Sequence, residues 1–121
     1  MDNQVSEPLP GAERAVVPEE KLRGYLLNPE HADGTHKLRV FQSALGIGPD
    51  DWEFMRHQLQ SGVTNATVES SRPSVDCTVY MVPMDVEGLN GAKKRVSTVW
   101  KVDDGGDSPS FVTAYLDKRA K

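Results

Sequence analysis

The sequence predicts an α+β domain in which three N-terminal helices pack on a four-stranded antiparallel sheet, and three observations predict it. Apolar residues recur at helical spacing as far as about residue 60. Beyond Gly62 the texture changes to β-branched residues in alternation, punctuated by turn signals such as Asn90-Gly91. Helices first and strands afterwards is the order of a sheet with helices on one face, and 121 residues suffice for one buried core.

Residues 1–17 read as a flexible acidic arm and 18–121 as a single domain. Pro8, Pro10 and Gly11 interrupt the arm, while Ala15-Val16-Val17 can pack on the domain as a short apolar strand. Pro18 suits the first position of a helix, with Glu19 and Glu20 near its positive end. Leu22, Tyr25 and Leu26 give that helix its apolar stripe, and Asn28-Pro29 ends it. The spacing of Leu38, Phe41, Ala44 and Leu45 predicts a second helix over 35–45, capped by Thr35 and closed at Gly46. A third helix over 50–60 buries Trp52, Met55 and Leu59, and Gly62 stops it. Strands are expected over 64–70, 75–85, 92–102 and 110–116, with Asn90-Gly91 as a two-residue hairpin and 103–109 as a polar loop.

Composition excludes several classes. The whole chain carries a net charge of −4, and residues 1–20, with five acids against Arg14, account for all of it. The remainder is neutral, so attraction to nucleic acid requires a local patch. The single cysteine, Cys77, forbids an internal disulfide and a thiolate metal cluster, reads as a buried apolar residue, and fits a reducing, cytoplasmic setting. No apolar run approaches the roughly 20 residues that span a bilayer, and no signal peptide is readable. Gly46-Ile47-Gly48 lacks the context of a dinucleotide loop, and there is no Walker loop or HExxH helix. His31 and His36 lack partners at metal-ligand spacing. Neither a metal nor a cofactor is expected.

Two clusters can carry chemistry. The stretch 27–41 sets His31, His36, Lys37 and Arg39 around one turn and one helix start, where amides and the helix dipole favour a phosphate. His36 suits proton transfer and Lys37 suits charge stabilisation on a phosphorane, against the plainer reading of a solvated helix face. The second cluster lies on the sheet. Lys93, Lys94, Arg95 and Lys101 make the third strand the most basic element; Thr98 shares a face with Trp100, and Thr113 lines up with Phe111 and Tyr115. Hydroxyls beside cations can hold a phosphate, or the lysines can simply protect a sheet edge. Trp52 and Trp100 sit on apolar stripes and read as core.

The blocks Pro18-Glu19-Glu20-Lys21-Leu22, Tyr25-Leu26-Leu27-Asn28-Pro29-Glu30-His31, Gly34, Lys37, Phe41 and Leu45-Gly46, with Thr98-Val99-Trp100 and Val112-Thr113-Ala114-Tyr115, resemble a small bacterial domain family of unassigned function. The resemblance covers nearly all of the chain after about residue 9. Ala32-Asp33 departs from it, where the family usually has proline after the histidine. Members occur beside a partner gene and as end domains of polymorphic toxins and phage proteins. That company implies the barnase–EndoU–colicin–RelE-like fold of metal-independent ribonucleases. Lys37 matches the family's lysine, and Thr98, Thr113 and Tyr115 match polar positions of its last two strands. The resemblance therefore implies a toxin-type endoribonuclease: His36 as base, Lys37 and Arg95 against the developing charge, and Thr98, Thr113 and Tyr115 on the phosphate. Its partners would be RNA and a neutralising protein encoded nearby. The competing expectations are a non-enzymatic binding module or regulator, using its sheet edge or acidic arm, and an enzyme acting on a small phosphorylated substrate.

Overall fold

The computed structural model describes residues 7–116. Among them, three helical elements precede four strands, as the sequence predicts. Helix α1 starts as an α-turn at Glu19–Lys21 and widens into a π-turn over Leu22–Leu26. Helix α2 spans Gly34–Leu45 and α3 spans Trp52–Val63, the latter opened by a 3-10 turn at Pro49–Asp51. Strands β1 (Ser70–Ser74), β2 (Cys77–Glu87), β3 (Lys93–Asp103) and β4 (Ser110–Leu116) form one antiparallel sheet in the order β1-β2-β3-β4. None of the helices is long and apolar enough to cross a membrane.

The apolar stripes meet as their spacing requires. Leu22 and Leu26 of α1, Leu38, Phe41 and Leu45 of α2, and Met55 and Leu59 of α3 are all buried. They close on Val82, Met84, Val86, Val96, Trp100, Phe111 and Ala114 of the sheet. The expected arm falls into two parts. Residues 1–6 lie outside the described residues, whereas Leu9, Ala12 and Val17 are buried in the core. Val16 pairs in parallel with the start of β4, donating to Pro109 O at 2.8 Å and accepting from Phe111 N at 2.9 Å.

Several boundaries differ from the sequence reading, each for a local reason. The first strand lies at Ser70–Ser74 and not over 64–70. Thr64 and Asn65 still bond back into the last turn of α3, and the Val68 amide donates to Glu7 O at 2.8 Å. Gly62 does not end α3: it lies within it, where a Cβ would sit 2.7 Å from Met84 Sδ, so the missing side chain lets β2 approach. Asn90-Gly91 does not form a two-residue hairpin, because the β2–β3 ladder closes at the pair Glu87 and Lys93. Asn90 is spent on the end of α2, donating its carboxamide to Ala44 O at 3.3 Å and its amide to Leu45 O at 3.4 Å. Cys77 is partly exposed and free.

Thr98 is fully buried, with no exposed area, and belongs to the core. Its hydroxyl donates to Val82 O at 2.5 Å and accepts the Trp100 indole N–H at 2.8 Å. Those two bonds are the reason for a hydroxyl in an otherwise apolar layer. Thr98→Val keeps the shape and strands the indole donor, which costs about 1–3 kcal/mol. Urea unfolding should show that loss for Thr98→Val and a smaller one for Thr98→Ser, which retains the hydroxyl.

Candidate functional site

Residues 22–37 form a short path that brings three side chains together. The π-turn ends with Leu27 N donating to Leu22 O at 2.7 Å, five residues back. It lets Leu22, Leu26 and Leu27 all enter the core and leaves Tyr25 half-buried beside the end of the sheet. Asn28-Pro29-Glu30-His31 is then a β-turn, with the His31 amide donating to Asn28 O at 3.2 Å and the Asn28 side chain accepting from Glu30 N at 2.9 Å. The chain folds back until Gly34 touches α1: a Cβ on Gly34 would lie 1.8 Å from Tyr25 O. Helix α2 starts there and not at Thr35. Asp33 is its N-cap and makes no side-chain cap bond; the turn before it is held by His31, whose Nδ1 accepts from Asp33 N and Gly34 N at 3.0 Å each.

Three residues into α2, Lys37 runs along the edge of the apolar stripe and places its ammonium between two hydroxyls. Lys37 Nζ donates to Tyr25 OH at 2.9 Å and to Thr113 Oγ1 at 2.8 Å, and Thr113 Oγ1 donates to Tyr25 OH at 3.4 Å. Tyr25 also meets His31 edge to face, with centroids 4.9 Å apart. The triangle borders an open depression of about 490 Å³ lined by Glu20, Lys21, Tyr25, His31, Val112 and Thr113.

Strand β4 reaches this site through a bulge. Trp100 pairs with Phe111 but Val99 pairs with Thr113, so Val112 is an extra residue. Phe111 and Ala114 are both buried, three apart instead of two. Thr113 therefore does not line up with Phe111, as plain alternation predicts.

Burial pushes the Tyr25 phenol up from the ordinary 10.0, but the hydrogen bonds from Lys37 and Thr113 and the Lys37 charge outweigh it, and the net direction is down. The charge of Asp33 works the other way. With its oxygen accepting from Lys37 and Thr113, the phenol has its own hydrogen left for a ligand in the depression.

Of the six residues singled out in the sequence, Lys37 and Thr113 come together here and the others do not. His36 is exposed, one residue from Lys37, and successive positions of a helix face different ways. Arg95 pairs with Asp85 at 3.5 Å and borders a separate depression of about 320 Å³ with Asn65, Thr67 and Met84. Tyr115 lies opposite Ser97 and reaches across β3 to Met81 Sδ at 3.8 Å, on the sheet face turned away from the helices. Thr98 is in the core. Trp100 is buried, whereas Trp52 is half-exposed under the guanidinium groups of Arg23 and Arg56, 5.5 and 4.9 Å from its ring centroid. Among the described residues, no three His, Cys, Asp or Glu side chains converge as metal ligands do.

Residues 8–118 match the family described as Domain of unknown function (DUF6883). The chain belongs to that family. No curated protein matches it. Among solved structures, it is similar to a chain of the "Contact-dependent growth inhibition toxin - immunity protein complex from Klebsiella pneumoniae 342". The TM-score is 0.68 at 16% identity, over 89% of this chain and 97% of that one, which is a likeness of fold.

The DUF6883 match takes in the whole path from Tyr25 to Lys37 and all of β4. Sequence reading placed His31 in the 27–41 cluster without giving it a role, and did not single out Tyr25 as a candidate. Tyr25 sits on the apolar stripe of α1, which hides its hydroxyl; its position three residues before Asn28-Pro29, with His31 and Gly34 following, was the available signal.

Ionisation of Tyr25 is easier in the folded chain, so this group adds stability as pH rises through its lowered pKa, fully above 10.0, and adds none of that kind at neutral pH. Absorbance titration near 295 nm should show one tyrosine ionising ahead of the other two. Tyr25→Phe should delete that early phase, and Lys37→Met should move it upward.

Proposed function

We propose that this DUF6883 domain is a metal-independent ribonuclease of toxin type, and that its site is the Tyr25–Lys37–Thr113 triangle at the α1–α2–β4 seam. The observation that carries the reading is Lys37 Nζ held at 2.9 and 2.8 Å from Tyr25 OH and Thr113 Oγ1, two hydroxyls whose residues line an open depression. An ammonium fixed by two hydroxyls is a preorganised positive charge for the developing phosphorane. In this reading the Glu20 carboxylate, on the same rim, accepts the 2′-hydroxyl proton as that oxygen attacks phosphorus. Tyr25, made a better acid by Lys37, donates its proton to the departing 5′-oxygen. The products are a 2′,3′-cyclic phosphate and a free 5′-hydroxyl. His36 and Arg95 have no step in it.

The likeness to a chain of a toxin–immunity protein complex supports this reading at the level of fold. It also supports a protein partner, which would neutralise the activity by covering the depression. The β4 edge favours a second reading: among the described residues only Val16 pairs with it, so it is open to strand addition. On that reading the chain is a non-enzymatic member of such a pair.

Incubating the purified chain with RNA in EDTA, followed by end-group analysis, separates the two. Cyclic-phosphate ends should accumulate, and Lys37→Ala should slow their formation by about 10²–10³-fold. Tyr25→Phe should slow it by about 10²-fold or more. Intact RNA would leave the strand-addition reading in its place, and cleavage seen only without EDTA would overturn the metal-independent mechanism.

A further inference from the structure

The turn that precedes α2 ties up amides at the helix start with an imidazole. His31 Nδ1 accepts the amide hydrogens of Asp33 and Gly34, each at 3.0 Å, and the His31 carbonyl accepts from Thr35 N at 2.9 Å. These are bonds of the kind an N-cap side chain makes, here made by an imidazole in the preceding turn in place of a hydroxyl or carboxamide. A ring nitrogen that accepts has no hydrogen of its own, so the hydrogen of the ring lies on Nε2. No hydrogen bond among the described residues uses that atom. The ring borders the depression, and its edge-to-face contact with Tyr25, 80° between planes, holds its angle.

We propose that His31 is a fixed Nε2–H donor for a phosphodiester oxygen held in the depression, its contacts with the two amides setting the tautomer and Tyr25 setting the orientation. It is not the base of the site, because the lone pair that a base needs is turned to the α2 amides. The same contacts change what the helix terminus can do: the amides of its N-cap, Asp33, and of its first residue, Gly34, are spent on His31 and do not reach a ligand. The ligand instead meets Nε2–H and, on the rim, Lys21, with the Lys37 charge held behind the Tyr25 and Thr113 hydroxyls. Glu20 on that rim and Asp33 in the turn oppose a second negative charge, so a singly charged diester fits better than a dianionic monoester. The inference rests on reading the depression as a phosphate site, but not on RNA cleavage.

The test uses the intact ¹⁵N-labelled chain and dimethyl phosphate as the probe. At pH 7 the His31 imidazole should give the spectrum of the Nε2–H tautomer, and dimethyl phosphate should move the Nε2 resonance saturably. His31→Asn retains an accepting side chain in the turn and removes the donor. Its thermal midpoint should stay near that of the parent while its affinity for dimethyl phosphate falls about tenfold, as expected for one hydrogen bond to a charged acceptor. A hydrogen on Nδ1, an Nε2 resonance that ignores the probe, or an unchanged affinity in His31→Asn would overturn the assignment. Cleavage is scored separately. Intact RNA with a responsive Nε2 removes the ribonuclease and keeps the donor; cleaved RNA with a silent Nε2 does the reverse.

Discussion

The close approach of Gly34 to the Tyr25 carbonyl is the contact on which the rest of the site depends. A Cβ at that point would lie 1.8 Å from a backbone oxygen that cannot move without unwinding α1, so only glycine allows it. The contact fixes where α2 begins and in which direction it leaves. With α2 so started, Leu38, Phe41 and Leu45 fall on the sheet side, and Lys37 falls at the margin of the same stripe. From that margin its ammonium reaches the two hydroxyls, while the residue as a whole is only half-buried.

The sheet supplies the opposite half of the site by an irregularity. A regular β4 would send Thr113 to the same side as Phe111. The extra residue, Val112, lets Phe111 and Ala114 both face the core and leaves Thr113 free to meet Lys37. The π-turn of α1 plays the matching part on the helical side, since one additional residue per turn takes Leu27 inward without carrying Tyr25 with it. Two one-residue insertions, one in a helix and one in a strand, thus converge on a single ammonium group. Such departures cost local regularity, and they recur where a side chain has to be aimed.

How far this was legible in the sequence follows from what periodicity records. The stripes of α2 and α3 and the alternation of β2 and β3 carry large apolar residues, so the fold class and the helix-before-sheet order could be read. Strand β1 could not, because Ser70–Ser74 has no apolar residue and is exposed throughout. Asn90-Gly91 was a true turn signal with a different job, since tertiary contact with the end of α2 claimed the Asn90 side chain. At the site, Lys37 and Thr113 were legible from their types. Tyr25 was not, since a position on an apolar stripe does not show where its hydroxyl ends. Thr98 looked like a site residue for the complementary reason: a hydroxyl in a strand does not show that its partners are a neighbouring carbonyl and an indole. His36 adjoins Lys37 in sequence but not in direction, since a helix groups residues three and four apart and a turn groups those across it.

The electrostatics of the chain narrow what such a site can recognise. Outside its acidic first twenty residues the chain is neutral, so no general field draws a polyanion to it, and selectivity rests on donors at short range. Lys37 has three hydrogens and gives two to hydroxyls, leaving one; Tyr25 accepts twice and keeps its own hydrogen. These two donors come from two elements, and the single carboxylate on the same rim is that of Glu20. A ligand matched to this set presents several acceptor oxygens close together and one hydroxyl whose proton can leave. A phosphodiester with a neighbouring 2′-hydroxyl has that pattern, and DNA lacks the hydroxyl. On the ribonuclease reading proposed above, discrimination of RNA from DNA would rest on Glu20, the one acceptor on a rim of donors.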